Sequence, residues 1–288
     1  MPRINKIAII ILNYNSNADC RKCIGYLKQQ SVEQEIIVVD NCSQDNDRKA
    51  VKDLCKEQNC TFIANNENRG YNAGNNVGLR YAAEKGYEFA LIANPDMEFT
   101  QADYLATLLA KMEKDEDIVV CGSDIVGADG IHQNPMCKEG DWRSSFGWIK
   151  EILGKKKKSD AYDFIDNYKE NHYCHKIGGC CFMIRMSFLK EINFFDEGVF
   201  LYCEEAILSR QVELAGKKMY YLATAQAVHR HIKSEKGDPV KRFRTWGKSR
   251  CYFIDHYSDD HWFGKQIAKL SMKLYVATFT LYNKIKKS

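Results

Sequence analysis

The chain lacks the features that mark several large classes of protein. Its net charge is only +4 over 288 residues, so the total charge gives no indication of nucleic-acid binding. Residues 1–6 lead directly into an apolar segment, without the apolar core and cleavage site of a signal peptide. We therefore expect a cytoplasmic protein whose twelve cysteines stay reduced.

Cysteine pairs and phosphate-binding loops are also scarce. Cys20 and Cys23 form the one CxxC pair, without a second pair at zinc-finger spacing, so we expect neither a metal nor a redox role for them. Glycines 70 and 74 are not followed by the Lys-Ser/Thr of a P-loop, and they do not follow the first strand as a dinucleotide fingerprint would. What is present is an ordinary globular composition, 45% hydrophobic and 28% charged, in a chain long enough for one large domain or one domain with an appendage.

The first half of the sequence alternates strand-like and helix-like segments. Short apolar runs end near Leu12, Asp40, Ala64 and Ala93, and segments of helical length separate them. Strands and helices in this alternation form βαβ units with right-handed crossovers. The sequence therefore predicts an α/β fold with a mostly parallel central sheet flanked by helices.

Polar residues follow these strands at the edge where open α/β sheets bind ligands. Asn13 follows the first strand, Asp40 ends the second, and Asp96 follows the fourth in an Asn-Pro-Asp turn. Asp96 suits a hard divalent cation that takes its other ligands from water and a diphosphate, although this turn is also common without a ligand. Asp40 suits a base or ribose contact, or alternatively a helix cap. The segment 65–76 is interpreted as a loop before a helix, either flexible or an anion site.

The second half is less regular. Segment 121–177 has weak periodicity, and its four lysines at 155–158 are interpreted as an exposed loop. Gly178 and Gly179 precede a predicted strand, where small residues allow close approach of a substrate. Glu204 and Glu205 begin a predicted helix, where the helix dipole stabilises acidic side chains whatever their function. His229 ends a strand and is either structural or a contact to a cation or a diphosphate.

The last fifty residues combine basic and apolar residues. Cations alternate with aromatic rings over 241–253, and lysines recur among apolar residues over 265–287. The apolar stretch 274–282 is too short to cross a bilayer. A basic amphipathic helix lying on a membrane and a helix packed on the rest of the protein are both consistent with this pattern. We expect no nucleic-acid partner.

In their shared order, these segments resemble family 2 glycosyltransferases with the GT-A fold, in particular the rhamnosyltransferase-like enzymes of surface polysaccharide assembly. The resemblance runs from residue 7 to residue 234. The segments that carry it are 13–15, 38–43, 68–70, 74–76, 94–96, 195–197, 200–202 with Glu204 and Glu205, and His229 with Ser234.

The resemblance implies a division of the chain and a role for each candidate residue. It implies a catalytic domain over 1–235, with a nucleotide-sugar half over about 1–120 and an acceptor half over about 121–235, followed by a helical extension over 236–288. Glu205 is implied as the general base, with Glu204 as the alternative, because the family has a Glu-Asp pair here. Nucleotide-sugar contacts are implied for Asn13, Asn15, Asp40, Asn41, Asp45, Asn68, Gly70, Asn75, Asn94 and Asp96. Acceptor contacts are implied for Gly178, Gly179 and Cys180, and metal contacts for Asp96 and His229.

The implied activity is an inverting, Mg²⁺- or Mn²⁺-dependent transfer of a sugar such as rhamnose or galactose. The donor would be a UDP- or dTDP-sugar, and the acceptor a hydroxyl of a glycan or lipid-linked glycan. Contact with the inner face of the membrane is left open by the basic tail. The alternatives are a noncatalytic nucleotide-sugar-binding domain and a nucleotidyltransferase of related architecture. The latter is disfavoured because no glycine-rich basic signature follows the first strand, and the presence of Asp96, Glu204 and Glu205 favours an enzyme.

Overall fold

The computed structural model describes residues 7–152, 164–230 and 238–286. The lysines at 155–158, His231 and Ser234 lie outside these ranges. In chain order the elements are β1 (Ile7–Asn13), α1 (Asn17–Leu27), β2 (Gln34–Asp40), α2 (Asp45–Glu57), β3 (Thr61–Ala64), α3 (Tyr71–Lys85), β4 (Phe89–Ala93), β5 (Met97–Glu98), α4 (Tyr104–Lys114), β6 (Ile118–Gly127), a 3₁₀ turn (Trp142–Phe146), α5 (Gly147–Ile152), β7 (His172–Cys174), β8 (Cys181–Arg185), α6 (Met186–Glu191), α7 (Glu204–Leu214), β9 (Lys218–His229), α8 (Pro239–His256) and α9 (Trp262–Ile285).

The described strands form one sheet of nine strands in the order β3-β2-β1-β4-β8-β6-β9-β5, with β7 paired to β9. The four strands from β3 to β4 are parallel, as the alternation of strands and helices predicts. Strand β8 runs antiparallel to β4 and to β6, whereas β9 is parallel to β6. The α/β prediction is therefore confirmed, with a parallel first half and a mixed second half.

Strand β1 shows why the central strands are continuous apolar runs. Ile7, Ile9 and Ile11 belong to the core on one face of the sheet, and Ala8 and Ile10 belong to the core on the other face. Successive side chains of a strand point to opposite faces, and helices cover both faces of a parallel sheet. Both sets are therefore buried, and the polar residue at the end of each run marks the edge of the sheet.

Helix α3 begins earlier than the sequence predicts, at Tyr71, so the interpretation of 65–76 as a loop is wrong over its last six residues. Its glycines face β1: a Cβ on Gly74 would lie 2.5 Å from Leu12, and a Cβ on Gly78 would lie 2.8 Å from Ile10. The glycines therefore let the helix approach the sheet closely, and do not make the segment flexible.

The predicted C-terminal helical extension is confirmed as α8 and α9. Phe253 and Ile254 of α8 and Ala268 of α9 form a small core with Ala206 and Ile207 of α7. Among the helices of the described ranges, none combines the length and the apolar content that crossing a bilayer requires. The domain boundary near residue 235 stays a prediction, because this core is built from both sides of it.

Candidate functional site

The strand ends of the sheet bring the candidate residues to one edge. In the strand register, Asn13 lies beside Asp40, and Met97, the residue after Asp96, pairs with His229. Because β8 is antiparallel to β4, its first residue, Cys181, pairs with the last residue of β4. The segment 178–180 therefore meets the Asn-Pro-Asp turn.

Asn13 joins three segments at the end of β1. Its buried Nδ2 lies 2.9 Å from Asp40 Oδ1, 2.8 Å from Asp47 Oδ1 and 3.1 Å from Ser43 Oγ. Its Oδ1 accepts a hydrogen bond from the backbone N–H of Ser16 at 3.2 Å. Asn13 therefore holds the loops after β1 and β2 in place, and its contact with a nucleotide stays a prediction.

Asp40 is fully buried, and its described contacts are within the protein. Besides Asn13, it accepts hydrogen bonds from the backbone N–H of Ser43 at 3.1 Å and from Arg48 Nε at 3.0 Å. The bond to Ser43 precedes α2, so Asp40 closes a turn and does not cap the helix. Sequence reasoning missed Arg48, which covers this carboxylate. A base or ribose contact of Asp40 stays a prediction.

The other predicted nucleotide residues form two groups. Asn15 and Asp45 are exposed beside the loops after β1 and β2, and Asn15 Oδ1 accepts from the backbone N–H of Gln44 at 2.8 Å. The second group is tied together: Asn41 Nδ2 donates to Asn68 Oδ1 at 3.0 Å, and Asn68 Oδ1 also accepts from the Gly70 N–H at 3.0 Å. Asn75 is buried inside α3, where its amide donates to the carbonyl of Tyr71 at 3.0 Å.

Asp96 and His229 form an ion pair at the end of β4. His229 Nε2 lies 3.3 Å from Asp96 Oδ1, and both side chains are less than one-fifth exposed. His229 Nδ1 lies 2.9 Å from Gln133 Oε1, a partner that the sequence does not indicate. Burial alone would lower the pKa of His229, but the Asp96 carboxylate and the Cys180 thiol raise it to about 10. A protonated His229 next to Asp96 offers a positive charge to an anionic ligand.

The donor chemistry of this pair fits a divalent cation that depends on its substrate for ligands. Within the described ranges, no group of three or more His, Cys, Asp and Glu residues forms a metal site. A carboxylate and an imidazole are nevertheless suitable ligands for Mn²⁺, and Mg²⁺ commonly uses one or two carboxylates together with water and phosphate oxygens. Asp96, with His229 when it is neutral, therefore fits this kind of site.

Glu204 and Glu205 begin α7 and are held by different partners. Glu205 Oε1 accepts from the backbone N–H of Gly179 at 3.2 Å, whereas Glu204 Oε1 accepts from the backbone N–H of Tyr202 at 2.8 Å. Burial, together with the neighbouring Glu205 charge, raises the pKa of Glu204 to about 7. The preceding residues Tyr202 and Cys203 both have a positive φ, 76° and 69°, a strained backbone of the kind found at functional sites.

Tyr71 connects the turn after β4 to the segment that contacts Glu205. Its hydroxyl lies 3.0 Å from Asn94 Oδ1 and 2.7 Å from the carbonyl oxygen of Gly179. The backbone N–H of Asn94 donates to the carbonyl of Cys180 at 2.8 Å. Only the segment 179–180 therefore separates the Asn-Pro-Asp turn from Glu205. No sequence signal distinguishes Tyr71 from an ordinary core aromatic residue.

A cavity of about 730 Å³ opens at this point, a size typical of small-molecule sites. Gly178 lies beside it, and its N–H donates to Asn134 Oδ1 at 2.8 Å. Asn13, Asp40, Asn41 and Asp45 belong to the β1–β2 end of the same sheet edge, outside the cavity. The candidate residues on its wall are Asn94, Gly179, Cys180, Glu204, Glu205 and His229, together with Tyr71.

The opposite wall comes from residues that the sequence analysis did not assign to a site. Trp148 and Tyr275 stack with ring centroids 5.2 Å apart. Arg250 of α8 donates to Glu139 Oε2 at 2.5 Å, and Lys176 is hydrogen-bonded to the same carboxylate. The alternation of cations and aromatic rings over 241–253 is visible in the sequence, but its position at a cavity is not.

The segment 195–197 has a structural explanation. Asp196 accepts hydrogen bonds from the hydroxyls of Tyr252, at 2.9 Å, and Tyr257. Glu197 accepts from Asn76 Nδ2 at 2.9 Å and pairs with Arg69 at 3.1 Å. These two carboxylates therefore fasten α8 and α3 to the loop that leads to Glu204.

Comparison with known sequences gives one family and several relatives. Residues 8–192 match the sequence model of the family described as Glycosyl transferase family 2. The chain is 28% identical over 204 residues to the low-salt glycan biosynthesis hexosyltransferase Agl10 of Haloferax volcanii, which covers 70% of this chain and 60% of that protein. It is 24% identical over 255 residues to the rhamnosyltransferase WbbL of Escherichia coli, which covers 86% of this chain and 92% of that protein.

Solved structures show the same fold. GalNAc-T7 with UDP, GalNAc and Mn²⁺ superposes with a TM-score of 0.64 at 16% identity, over 90% of this chain and 50% of that chain. The mannosyltransferase PcManGT from Pyrobaculum calidifontis, in complex with GDP-Man and Mn²⁺, gives a TM-score of 0.59 at 15% identity, over 94% and 69%. The chain thus spans half the length of the GalNAc-T7 chain and 60% of Agl10. The GT-A-like fold is confirmed by these likenesses, which at such identities concern the fold alone.

Proposed function

From the premise that this chain belongs to glycosyl transferase family 2, we propose that it transfers a sugar from a UDP- or dTDP-sugar to a hydroxyl of a glycan or lipid-linked glycan. The transfer inverts the anomeric configuration and uses Mg²⁺ or Mn²⁺. Rhamnose and galactose are the leading candidates for the sugar. The rhamnosyltransferase and hexosyltransferase relatives support this choice of substrate class, and the Mn²⁺ complexes of the two structural relatives support the metal.

One observation carries the proposal. Asp96, whose carboxylate suits a cation that binds a diphosphate, and Glu205, whose carboxylate suits a general base, lie on the two sides of the short segment 179–180. Asp96 ends the turn whose Asn94 is bonded to Cys180, and Glu205 is bonded to the neighbouring Gly179. A donor bound at Asp96 would therefore present its sugar toward Glu205. The cavity, whose wall includes Glu205 and the Asp96 partner His229, has room for an acceptor.

Different residues would bind the diphosphate, bind the nucleoside and position the segments of the site. Asp96 would hold the divalent cation to which the diphosphate of the donor binds. His229 would contact the negative charge of the diphosphate when it is protonated, and would bind the cation only when it is neutral. The cation, when bound, stabilises the negative charge that develops on the leaving diphosphate. Asn15 and Asp45, exposed at the β1–β2 end of the edge, lie where the nucleoside would extend. Tyr71 keeps the Asn94 turn and the Gly179 segment at a fixed separation through its two contacts.

Glu205 is the proposed general base. It takes the proton from the acceptor hydroxyl while that oxygen attacks the anomeric carbon and the diphosphate leaves from the opposite face, so the configuration inverts. Its Oε1 accepts from the Gly179 N–H, in the segment that is also bonded to the Asp96 turn, whereas Glu204 accepts from the Tyr202 N–H. A second carboxylate positioned as a covalent nucleophile is not needed for a single displacement.

Thermal unfolding of the purified chain with a panel of nucleotide sugars tests the donor site. We expect one UDP- or dTDP-sugar to raise the unfolding temperature with Mn²⁺, and EDTA to remove the effect. A ligand at about one hundred times its Kd stabilises the folded state by about 2.7 kcal/mol. Asp96→Asn should lose this stabilisation, measured as the shift from the variant's own ligand-free unfolding temperature, which the loss of the ion pair with His229 also lowers.

Two outcomes would redirect the proposal. Stabilisation by GDP-sugars alone would show that the predicted base is wrong, and no stabilisation by any nucleotide sugar would contradict the donor site. Incubation of the stabilising sugar with glycan acceptors then separates an enzyme from a noncatalytic binding domain, because only an enzyme releases the nucleoside diphosphate. Conversion of the nucleotide sugar and added inorganic diphosphate into a nucleoside triphosphate and a sugar 1-phosphate would instead indicate a nucleotidyltransferase, the alternative that family membership disfavours.

A further inference from the structure

Helix α9 carries a continuous apolar stripe that faces away from the protein. Phe263, Leu270, Leu274, Leu281 and Ile285 are each more than half exposed. At about 100° per residue, their positions fall within roughly 60° of one another around the helix. The stripe is roughly 33 Å long at about 1.5 Å per residue. Single exposed apolar residues are ordinary, but an aligned row of this length indicates a binding surface.

A second face of α9, centred roughly 110° from the stripe at about 100° per residue, packs against the rest of the protein. Gly264, Ala268, Ser271 and Met272 are buried, and Trp148 donates to Ser271 Oγ at 2.9 Å. Met272 and Tyr275 line the cavity. The stripe therefore lies about one helix diameter, roughly 10 Å, from the cavity wall, and it is not a part of the core left uncovered by chance.

The charge of α9 has one sign. Its sequence from Trp262 to Ile285 contains four lysines, at 265, 269, 273 and 284, and no aspartate or glutamate. Lys273 and Lys284 are exposed, and at about 100° per residue they lie along one side of the stripe. An aliphatic row bordered by lysines matches the chemistry of a bilayer with anionic headgroups, in which the apolar face enters the acyl boundary and the lysines meet phosphate.

We propose that α9 docks this protein on an anionic lipid surface, with Phe263, Leu270, Leu274, Leu281 and Ile285 in contact with the acyl chains. The proposal does not depend on the proposed sugar transfer, because it concerns lipid binding alone. A bilayer in this position would lie along the outer side of α9, about one helix width from the cavity-lining Met272 and Tyr275. An acceptor anchored in that bilayer could then reach Glu205 without leaving the membrane.

Co-sedimentation of the full chain with lipid vesicles tests the proposal. We expect binding to vesicles of phosphatidylcholine with phosphatidylglycerol, much weaker binding to phosphatidylcholine alone, and release as salt is raised. The double variant L270E/L274E should weaken binding about tenfold or more, because it places two carboxylates on the stripe. K273Q/K284Q should weaken binding to anionic vesicles and reduce the salt dependence.

The matched control is Leu214→Glu, which changes an equally exposed leucine on α7. It should bind vesicles like the parent chain, and all variants should keep the parental circular dichroism and unfolding temperature, because the substituted residues are exposed. Equal vesicle binding by L270E/L274E and L214E would overturn the proposal. So would loss of self-association in L270E/L274E with no vesicle binding by the parent, since the stripe would then join two copies of the chain.

Discussion

Glu204 and Glu205 are adjacent, but their surroundings differ enough to separate their roles. Glu205→Gln removes the proposed base without changing its size, so we expect transfer to fall about 10²–10⁴-fold while the donor still binds. Glu204→Gln keeps the acceptor role of Oε1 toward Tyr202 and should reduce transfer much less. The test compares the initial rates of sugar transfer and the donor affinities of the two variants. If Glu205→Gln is fully active and Glu204→Gln is inactive, the base has been assigned to the wrong carboxylate.

The raised pKa of Glu204 makes a prediction about stability. The folded protein keeps a proton on Glu204 up to about pH 7, whereas the unfolded chain releases it near 4.5. The folded state therefore binds more protons between these values, and the free energy of unfolding falls as the pH rises through this window. Relative to the parent, the free energy of unfolding of Glu204→Gln should therefore increase between about pH 5 and pH 8, by on the order of 1–3 kcal/mol.

Denaturant unfolding of both proteins at pH 5 and pH 8 measures this effect. The control is Glu213→Gln on the same helix, because hydrogen bonds from Lys138 and Arg210 lower the pKa of Glu213. That carboxylate stabilises the folded state above its ordinary pKa, so its variant should lose stability at pH 8. A pH-independent difference between Glu204→Gln and the parent would contradict the raised pKa.

At the scale of single residues, the sequence identifies the ends of strands but not their partners. Asp96 and His229 are each visible, since each follows or ends an apolar run, yet 133 positions separate them. Their 3.3 Å approach depends on the pairing of β5 with β9. Tyr71, Arg48 and Gln133 carry no signal, because their roles come only from tertiary contacts.

At the scale of elements, the start of α3 depends on Gly70. Its φ is +105°, and a Cβ there would lie 2.3 Å from the carbonyl oxygen of Phe200. Gly70→Ala should therefore destabilise the protein by about 3 kcal/mol or more, through both backbone strain and this clash. Gly86→Ala is the matched control, because Gly86 has a φ of +84° and open space around it.

Unfolding free energies of the two variants separate the two causes. Gly86→Ala should lose only about 1–2 kcal/mol, the contribution of the left-handed backbone. If the two losses are equal, Phe200 moves away at little energy and Gly70 is needed only for its backbone conformation. A larger loss for Gly70→Ala reflects the clash with Phe200 together with the Gly70 backbone, whose φ of 105° and ψ of −177° only glycine adopts readily.

The elements of the first half could be predicted because each is set by local pattern. The predicted ends of β3 at Ala64 and of β4 at Ala93 match the structure. The insertion of β8 between β4 and β6 could not be predicted, since a five-residue apolar strand carries no information on its neighbours or direction. That insertion places Gly179 and Cys180 in the site.

At the scale of the whole molecule, the extension shares a core with the catalytic part. A chain that ends at residue 235 would expose Val199, Ala206 and Ile207 and would leave Asp196 without two tyrosine partners. We expect it to aggregate or to unfold at a clearly lower temperature than the full chain. A chain that ends at residue 286, which keeps both helices, is the control. Equal stability and donor binding for the shorter chain would show that 236–288 is a separate appendage.

The cavity is assembled from parts that are far apart in the order of synthesis. The candidate residues of its wall lie between Tyr71 and His229, but Trp246, Arg250, Met272 and Tyr275 come from the last elements of the described chain. Protein synthesis proceeds from the N terminus, and folding begins during it. The parallel sheet can therefore form on the ribosome while the acceptor side stays open. A nascent chain would form the parallel sheet first, and it would enclose the cavity only after α8 and α9 have been synthesised.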